Sequence, residues 1–288
     1  MAIVHMVSKE PEESLEKMKR PTAANLRRIH RKGRGDPVNE EKDAVIIAVF
    51  GSKGGAGKTT VAVNVATVLA QKGKRTALLD FDLQFGDASI FLDLENKHGI
   101  SELVQEGSIT KEIVRSYLSL HKTGLSLLPS SERPEYAEMV QSSHGERIIS
   151  GIAKGYDFVF IDLSTQMNDL SLMALEKADK ILHVINPDIS TLRNAKKTHE
   201  LMKALKLDHK IQVVLNKENS STITAKEIAG LMNIKFLAKI PVEGKHAVAS
   251  LNRGIPVVIN VPRCPMSKKL IDLATKIGEG NYGSTGEA

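Results

Sequence analysis

The chain has 288 residues, 41% of them hydrophobic, with 40 Lys and Arg against 34 Asp and Glu, one Cys and no Trp. That length supports one large α/β domain with extensions, and the lone Cys264 excludes an internal disulfide, a cysteine zinc site and redox chemistry. Strand-length apolar runs and a start, Met1 to Val7, that breaks into charge point to a soluble intracellular protein of a reducing cytosol, with neither an integral membrane segment nor a secretory signal.

The net charge of +6 is concentrated near the start. Lys17 to Arg34 carries eight basic residues and no acid, so the rest of the chain sums to −2. Residues 1–43 therefore read as a basic, flexible arm and linker: Pro21 interrupts any long helix, Leu26 and Ile29 are the apolar contacts after it, and Gly33-Arg34-Gly35-Asp36-Pro37 is turn-rich. The charge of Lys17–Arg34 suits an acidic membrane surface or DNA, though the arm lacks the apolar face of an interfacial helix.

From Ala44 onward, apolar strand-like runs alternate with helical periodicity. This is the pattern of an α/β fold: a doubly wound, mainly parallel sheet with helices on both faces. Strands are expected at Val45–Phe50, Thr76–Asp80, Leu125–Leu128, Phe158–Asp162, Lys180–Ile185, Ile211–Asn216 and Phe236–Ile240. Helices are expected at Gly57–Gln71, Pro134–Ala153, Asn168–Lys177, Ser190–Leu205, Thr224–Met232 and Met266–Ile277. Ligand loops then gather at the C-terminal ends of the strands. The domain spans 44–277, and 278–288 reads as a flexible polar tail.

The first strand runs into Gly51-Ser52-Lys53-Gly54-Gly55-Ala56-Gly57-Lys58-Thr59-Thr60 and a helix opens there. Three glycines within four positions let backbone N–H groups turn inward, and the helix N-terminus adds partial positive charge, so Ser52, Lys53, Gly54, Gly55, Ala56, Gly57, Lys58, Thr59 and Thr60 form a phosphate cradle. Lys58 is placed to reach the outer phosphates and Thr59 to hold Mg²⁺. Ser52 stands where the general P-loop pattern has Gly. Lys53 is a second lysine that binding one nucleotide within one subunit does not require.

From Lys53 to Thr60 the loop resembles the deviant P-loop of the MinD/ParA superfamily, Lys-Gly-Gly-x-Gly-Lys-Thr-Thr. The resemblance implies a P-loop NTPase fold of the SIMIBI kind, ATP and Mg²⁺ as cofactors, slow ATP hydrolysis and a homodimer formed with ATP. It also implies that Lys53 crosses the dimer interface to the partner's phosphates.

Asp80 and Asp82, at spacing two, end the second strand. The resemblance assigns Asp82 to the attacking water and Asp80 to the neighbourhood of Mg²⁺, with simple capping as the alternative and as the preferred reading for Asp87. Asp162, at the end of an apolar strand, is expected near Mg²⁺ as well. The superfamily usually carries Pro or Gly after that position, whereas this chain has Leu163-Ser164-Thr165-Gln166-Met167-Asn168, a departure that bears on nucleotide-driven movement. Asn219 stands where related GTPases need Asp for guanine. Adenine is therefore favoured, with Asn216 contacting the base and Pro241, Val242 and Glu243 framing it; alternatively Asn216 satisfies its own turn.

Four further stretches resemble the pilus-assembly ATPases of the tight-adherence type (TadZ/CpaE): Phe50–Gly55, Asp82–Asp87, Asn186-Pro187-Asp188 and Leu192–Lys196. That branch implies a protein partner in pilus or secretion machinery. Its members commonly carry a long receiver-like N-terminal domain, where this chain has the arm. Two alternatives stay open. One is a ParA-like DNA-partitioning or MinD-like positioning ATPase, with Lys196, Lys197, Lys203 and Lys206 along one helix. The other is a scaffold that binds nucleotide without hydrolysing it.

Overall fold

A computed structural model describes residues 43–283 apart from 96, 97 and 132. The chain divides into two units between Asn39 and Glu40. The expectations for the arm, including Lys17–Arg34, and for the tail beyond 283 lie outside the described residues.

The strands are β1 Val45–Phe50, β2 Thr76–Phe81, β3 Ser119–Leu120, β4 Ser126–Leu128, β5 Phe158–Leu163, β6 Lys180–Ile185, β7 Ile211–Glu218 and β8 Phe236–Pro241. The helices are α1 Lys58–Gln71, α2 Ala88–Phe91, α3 Ile100–Gln105, α4 Lys111–Ser116, α5 Ser142–Ala153, α6 Asp169–Lys177, α7 Ile189–Ala204, α8 Ala225–Met232, α9 Gly244–Leu251, α10 Val257–Asn260 and α11 Pro265–Gly278. One sheet runs in the order β3-β4-β2-β5-β1-β6-β7-β8. Every neighbouring pair is parallel except the antiparallel edge pair β3–β4.

The continuous apolar runs follow from burial on both faces, because a strand covered on two sides has no solvent face for polar residues. In β1, Ile47 and Val49 enter one core while Ala48 and Phe50 enter the other. Val65 and Leu69 of α1 with Leu270 and Leu273 of α11 cover the first face. Ile148 and Ile152 of α5, Leu170 and Ala174 of α6 and Met202 of α7 cover the second. Each fully buried large side chain contributes about 1.5–3 kcal/mol. Strand β1 lies inside the sheet between β5 and β6, so the loop that follows it leaves from a rigid base.

The expected helix Pro134–Ala153 is two elements. A 3₁₀ turn spans Pro134–Met139, Val140 and Gln141 are extended, and α5 starts at Ser142. Helical periodicity across 134–153 hid this break, which Pro134 at the start and the Gln-Ser-Ser run signal only weakly. The edge strand β3 and the short helices α2, α3, α4, α9 and α10 had too few residues to show a period. Helix α1 begins at Lys58, after Gly57. Helix α11 runs to Gly278, and the Tyr282 ring beyond it lies 5.0 Å from Lys180 Nζ, so the polar stretch expected from Gly278 starts bound to β6.

Candidate nucleotide and metal site

The loop after β1 has the backbone its glycines permit. Gly55 and Gly57 have φ of 72° and 93°, a left-handed region that L side chains enter at a cost. At Gly57 a Cβ would also fall 2.2 Å from Asn216 Nδ2, so this position is closed to any other residue. Gly57 caps α1 with no side-chain hydrogen bond, and the first turn carries no acid. The first-turn N–H groups and the positive end of the helix are thereby left for an anion.

Three side chains brace the loop from outside. Asn216 Nδ2 donates to Ala56 O at 2.8 Å, Lys217 Nζ to Gly55 O at 2.8 Å, and Asn194 Nδ2 to Ser52 O at 3.4 Å. Asn216, expected at the base, uses an N–H of its amide on the loop backbone and not on its own turn. Lys217 and Asn194 were not singled out as site residues, and the Asn216–Asn219 run was the available signal for Lys217. Pro241 ends β8 beside the end of β7, where Val242 N donates to Glu218 O at 3.0 Å. Glu243 pairs with His246 Nδ1 at 2.9 Å and Val242 is exposed.

Lys58 is buried, and its ammonium pulls the carboxyls of Asp82 and Asp162 down. Burial outweighs that pull at both: Asp82 is raised, and Asp162 is pushed up to about 7. Asp80 is raised well above the carboxylate range by burial and by Asp162, its register partner across β2 and β5. Asp80, expected in the neighbourhood of Mg²⁺, also holds backbone groups. Oδ1 accepts from Asp82 N at 3.3 Å and Oδ2 from Ala88 N at 3.1 Å, so its carboxylate ties down the loop that carries Asp82. Asp87, expected to cap the next segment, occupies the N-cap of α2 without a side-chain bond; Asp80 supplies that bond. Gly86 lies so close that a Cβ would meet Asp80 Oδ2 at 2.4 Å.

Both oxygens of Asp162 are buried, and apart from the nearby Thr59 hydroxyl neither meets a donor in good hydrogen-bond geometry, which in a folded protein marks a place where another group belongs. The Thr59 hydroxyl acts on the same carboxylate. This is an all-oxygen environment beside a phosphate cradle and suits Mg²⁺, which takes one or two protein oxygens and completes its shell with phosphate and water. Among the described residues no group of three or more His, Cys, Asp or Glu forms a metal cage, and Mg²⁺ held this way needs none. A cavity of about 830 Å³ opens beside Asp82, lined in part by Leu83, Phe85, Ser164, Gln166 and Asn168. The unusual segment after Asp162 therefore faces the same space as Asp82.

Lys53, on the same loop, pairs with Asp188 at the start of α7. Its Nζ lies 2.9 Å from Asp188 Oδ1, and both side chains are 40% exposed.

A family model described as an AAA domain matches residues 44–216, from the start of the sheet to Asn216. The chain belongs to this family. It is similar to the septum site-determining protein MinD of Thermotoga maritima, 28% identical over 82% of this chain and 89% of the relative. Its fold is that of a ParA family ATPase from Chlorobium tepidum, with TM-score 0.76, 23% identity and coverage of 82% and 99%. The MinD of Pyrococcus horikoshii complexed with Mg-ADP superposes with TM-score 0.73, 24% identity and coverage of 83% and 99%. The chain thus shares the loop and the fold of the P-loop ATPases of the MinD/ParA superfamily. Among its described residues no helix is long and apolar enough to cross a membrane.

Proposed function

We propose that this protein is an ATP-driven dimerisation switch that positions a cellular assembly, a MinD/ParA-like reading that the comparisons support better than the pilus-assembly one. Two subunits close face to face over two nucleotides, and hydrolysis reopens them. The observation that carries this reading is the placement of two lysines on one loop: Lys58 is buried in the cradle, whereas Lys53 is half-exposed at its rim. An amine in that position is available to a neighbouring subunit.

Within each subunit the N–H groups of Gly54 to Thr60 and Lys58 hold the phosphates. Thr59 and Asp162 hold Mg²⁺, which neutralises developing charge when bound. Asp82 orients the attacking water, and Asp80 fixes the loop that carries Asp82. Pro241–Glu243 frame the adenine, while Asn216 keeps the loop against it. Catalysis rests on positioning and charge neutralisation, so turnover is slow without a partner. Lys53→Ala should leave nucleotide binding intact and abolish the ATP-dependent dimer.

Gln84-Phe85-Gly86-Asp87 and Leu192–Ala195 favour a second reading, a partner in tight-adherence pilus machinery. Pilin and secretion-ATPase genes beside this one would support it. The exposed Lys196, Lys197, Lys203 and Lys206 suit DNA partitioning instead, and DNA binding that requires ATP and weakens steeply with salt would select that reading.

A further inference from the structure

Lys53 has two claimants. In the dimer reading its ammonium serves the partner's phosphates; in the single subunit it is held at 2.9 Å by Asp188. Asp188 is a rigid holder. As N-cap of α7 it accepts from Thr191 N at 2.9 Å through Oδ1 and from the Thr191 hydroxyl at 2.6 Å through Oδ2. Partial burial raises its carboxyl, but Thr191 and Lys53 together bring it below the usual carboxylate range, so it is ionised at neutral pH. Asn194, on the second turn of the same helix, donates to Ser52 O at 3.4 Å. Helix α7 therefore clasps residues 52 and 53 from two positions, 135 residues along the chain in the case of Asp188. In the dimer reading, turning the Lys53 ammonium to a second molecule's phosphates draws it away from Asp188.

We propose that Asp188 is a positioning residue for Lys53, a latch within the subunit that a second copy of this chain must open, so that its strength sets how much ATP closes the dimer. This rests on the dimer reading above. An exposed ion pair changes an equilibrium by about 1.4- to 5-fold, and two latches open per dimer, so the effect on closure is about 2- to 30-fold.

The test is light scattering of the full chain against a titration of a non-hydrolysable ATP analogue, for the parent, Asp188→Asn and Asp188→Ser. Asn and Ser both serve well as N-caps, so α7 keeps its start while the charge on Lys53 is lost; melting curves of both variants check this. Because closure takes up two nucleotides, the midpoint on the analogue titration should fall by about 1.4- to 5-fold in both variants. Single-subunit affinity for a fluorescent ATP analogue should not change. Added salt should narrow the gap, because it screens an exposed pair. A parent that dimerises while both variants show an unchanged or higher midpoint overturns the latch alone. A parent that stays monomeric at saturating analogue overturns the dimer reading and the latch with it.

Discussion

In the proposed switch Lys58 and Asp82 have separate tasks, one in binding and one in hydrolysis. Lys58 is buried in the cradle with its charge acting on two carboxylates, so Lys58→Ala should abolish binding of a fluorescent ATP analogue measured by titration. Asp82 lies past the end of β2, on the loop held by Asp80. Asp82→Ala should bind ATP and dimerise yet hydrolyse about 10²-fold more slowly or worse; phosphate release at the parent rate would remove Asp82 from the mechanism. Positions set by their neighbours in sequence were legible: Gly57, Lys58 and Thr59 follow from the loop, and Asp162 from the apolar strand that carries it. Asp188, Asn194 and Lys217 were not, because their partners lie 135, 142 and 162 residues away and no local pattern records such a meeting. The backbone contacts of Asp80 were hidden for a related reason: spacing places it at the strand end but cannot show that Asp82 N and Ala88 N donate to its oxygens.

Helix α1 depends on how it starts. Gly57→Ala forces a side chain into a left-handed backbone and against Asn216 Nδ2. It should destabilise the fold by about 1–3 kcal/mol and displace the Asn216 brace, read as a lower urea midpoint together with weaker nucleotide binding. Strand β6 and helix α7 meet at a second sensitive point. His183 is buried with Nδ1 3.1 Å from His199 Nε2, its own Nε2 lacks a partner, and burial and His199 push it down to about 3. Burial also lowers His199. As pH falls below about 6.5 the unfolded chain takes up a proton that folded His183 refuses, so the folded state loses about 1.4 kcal/mol per pH unit from this residue until its folded value is reached. Asp80 and Asp162, raised by burial, act in the opposite sense in the same range. They cancel when parent and His183→Phe are compared, so the stability gap in favour of the variant should widen from pH 7 to pH 5 in urea titrations, and a constant gap would contradict a neutral buried ring. Long amphipathic or apolar elements were legible from their period. The break at Val140–Gln141 and the short helices were not, because tertiary contacts rather than propensity decide them.

At the scale of the molecule, the sheet order and the two cores account for why the ligand loops share one edge, and the alternation of strands and helices made that architecture readable before any coordinates. An interface between copies is not encoded by period or propensity; the proposed switch rests in the sequence on Lys53, the second lysine of the loop. The most direct test is size-exclusion chromatography with light scattering of the parent and Lys53→Ala, each with ADP and with a non-hydrolysable ATP analogue. The parent should double in mass with the analogue alone, while the variant, still binding nucleotide, should remain a monomer. A parent that never doubles, or a variant that doubles alongside it, would contradict the switch.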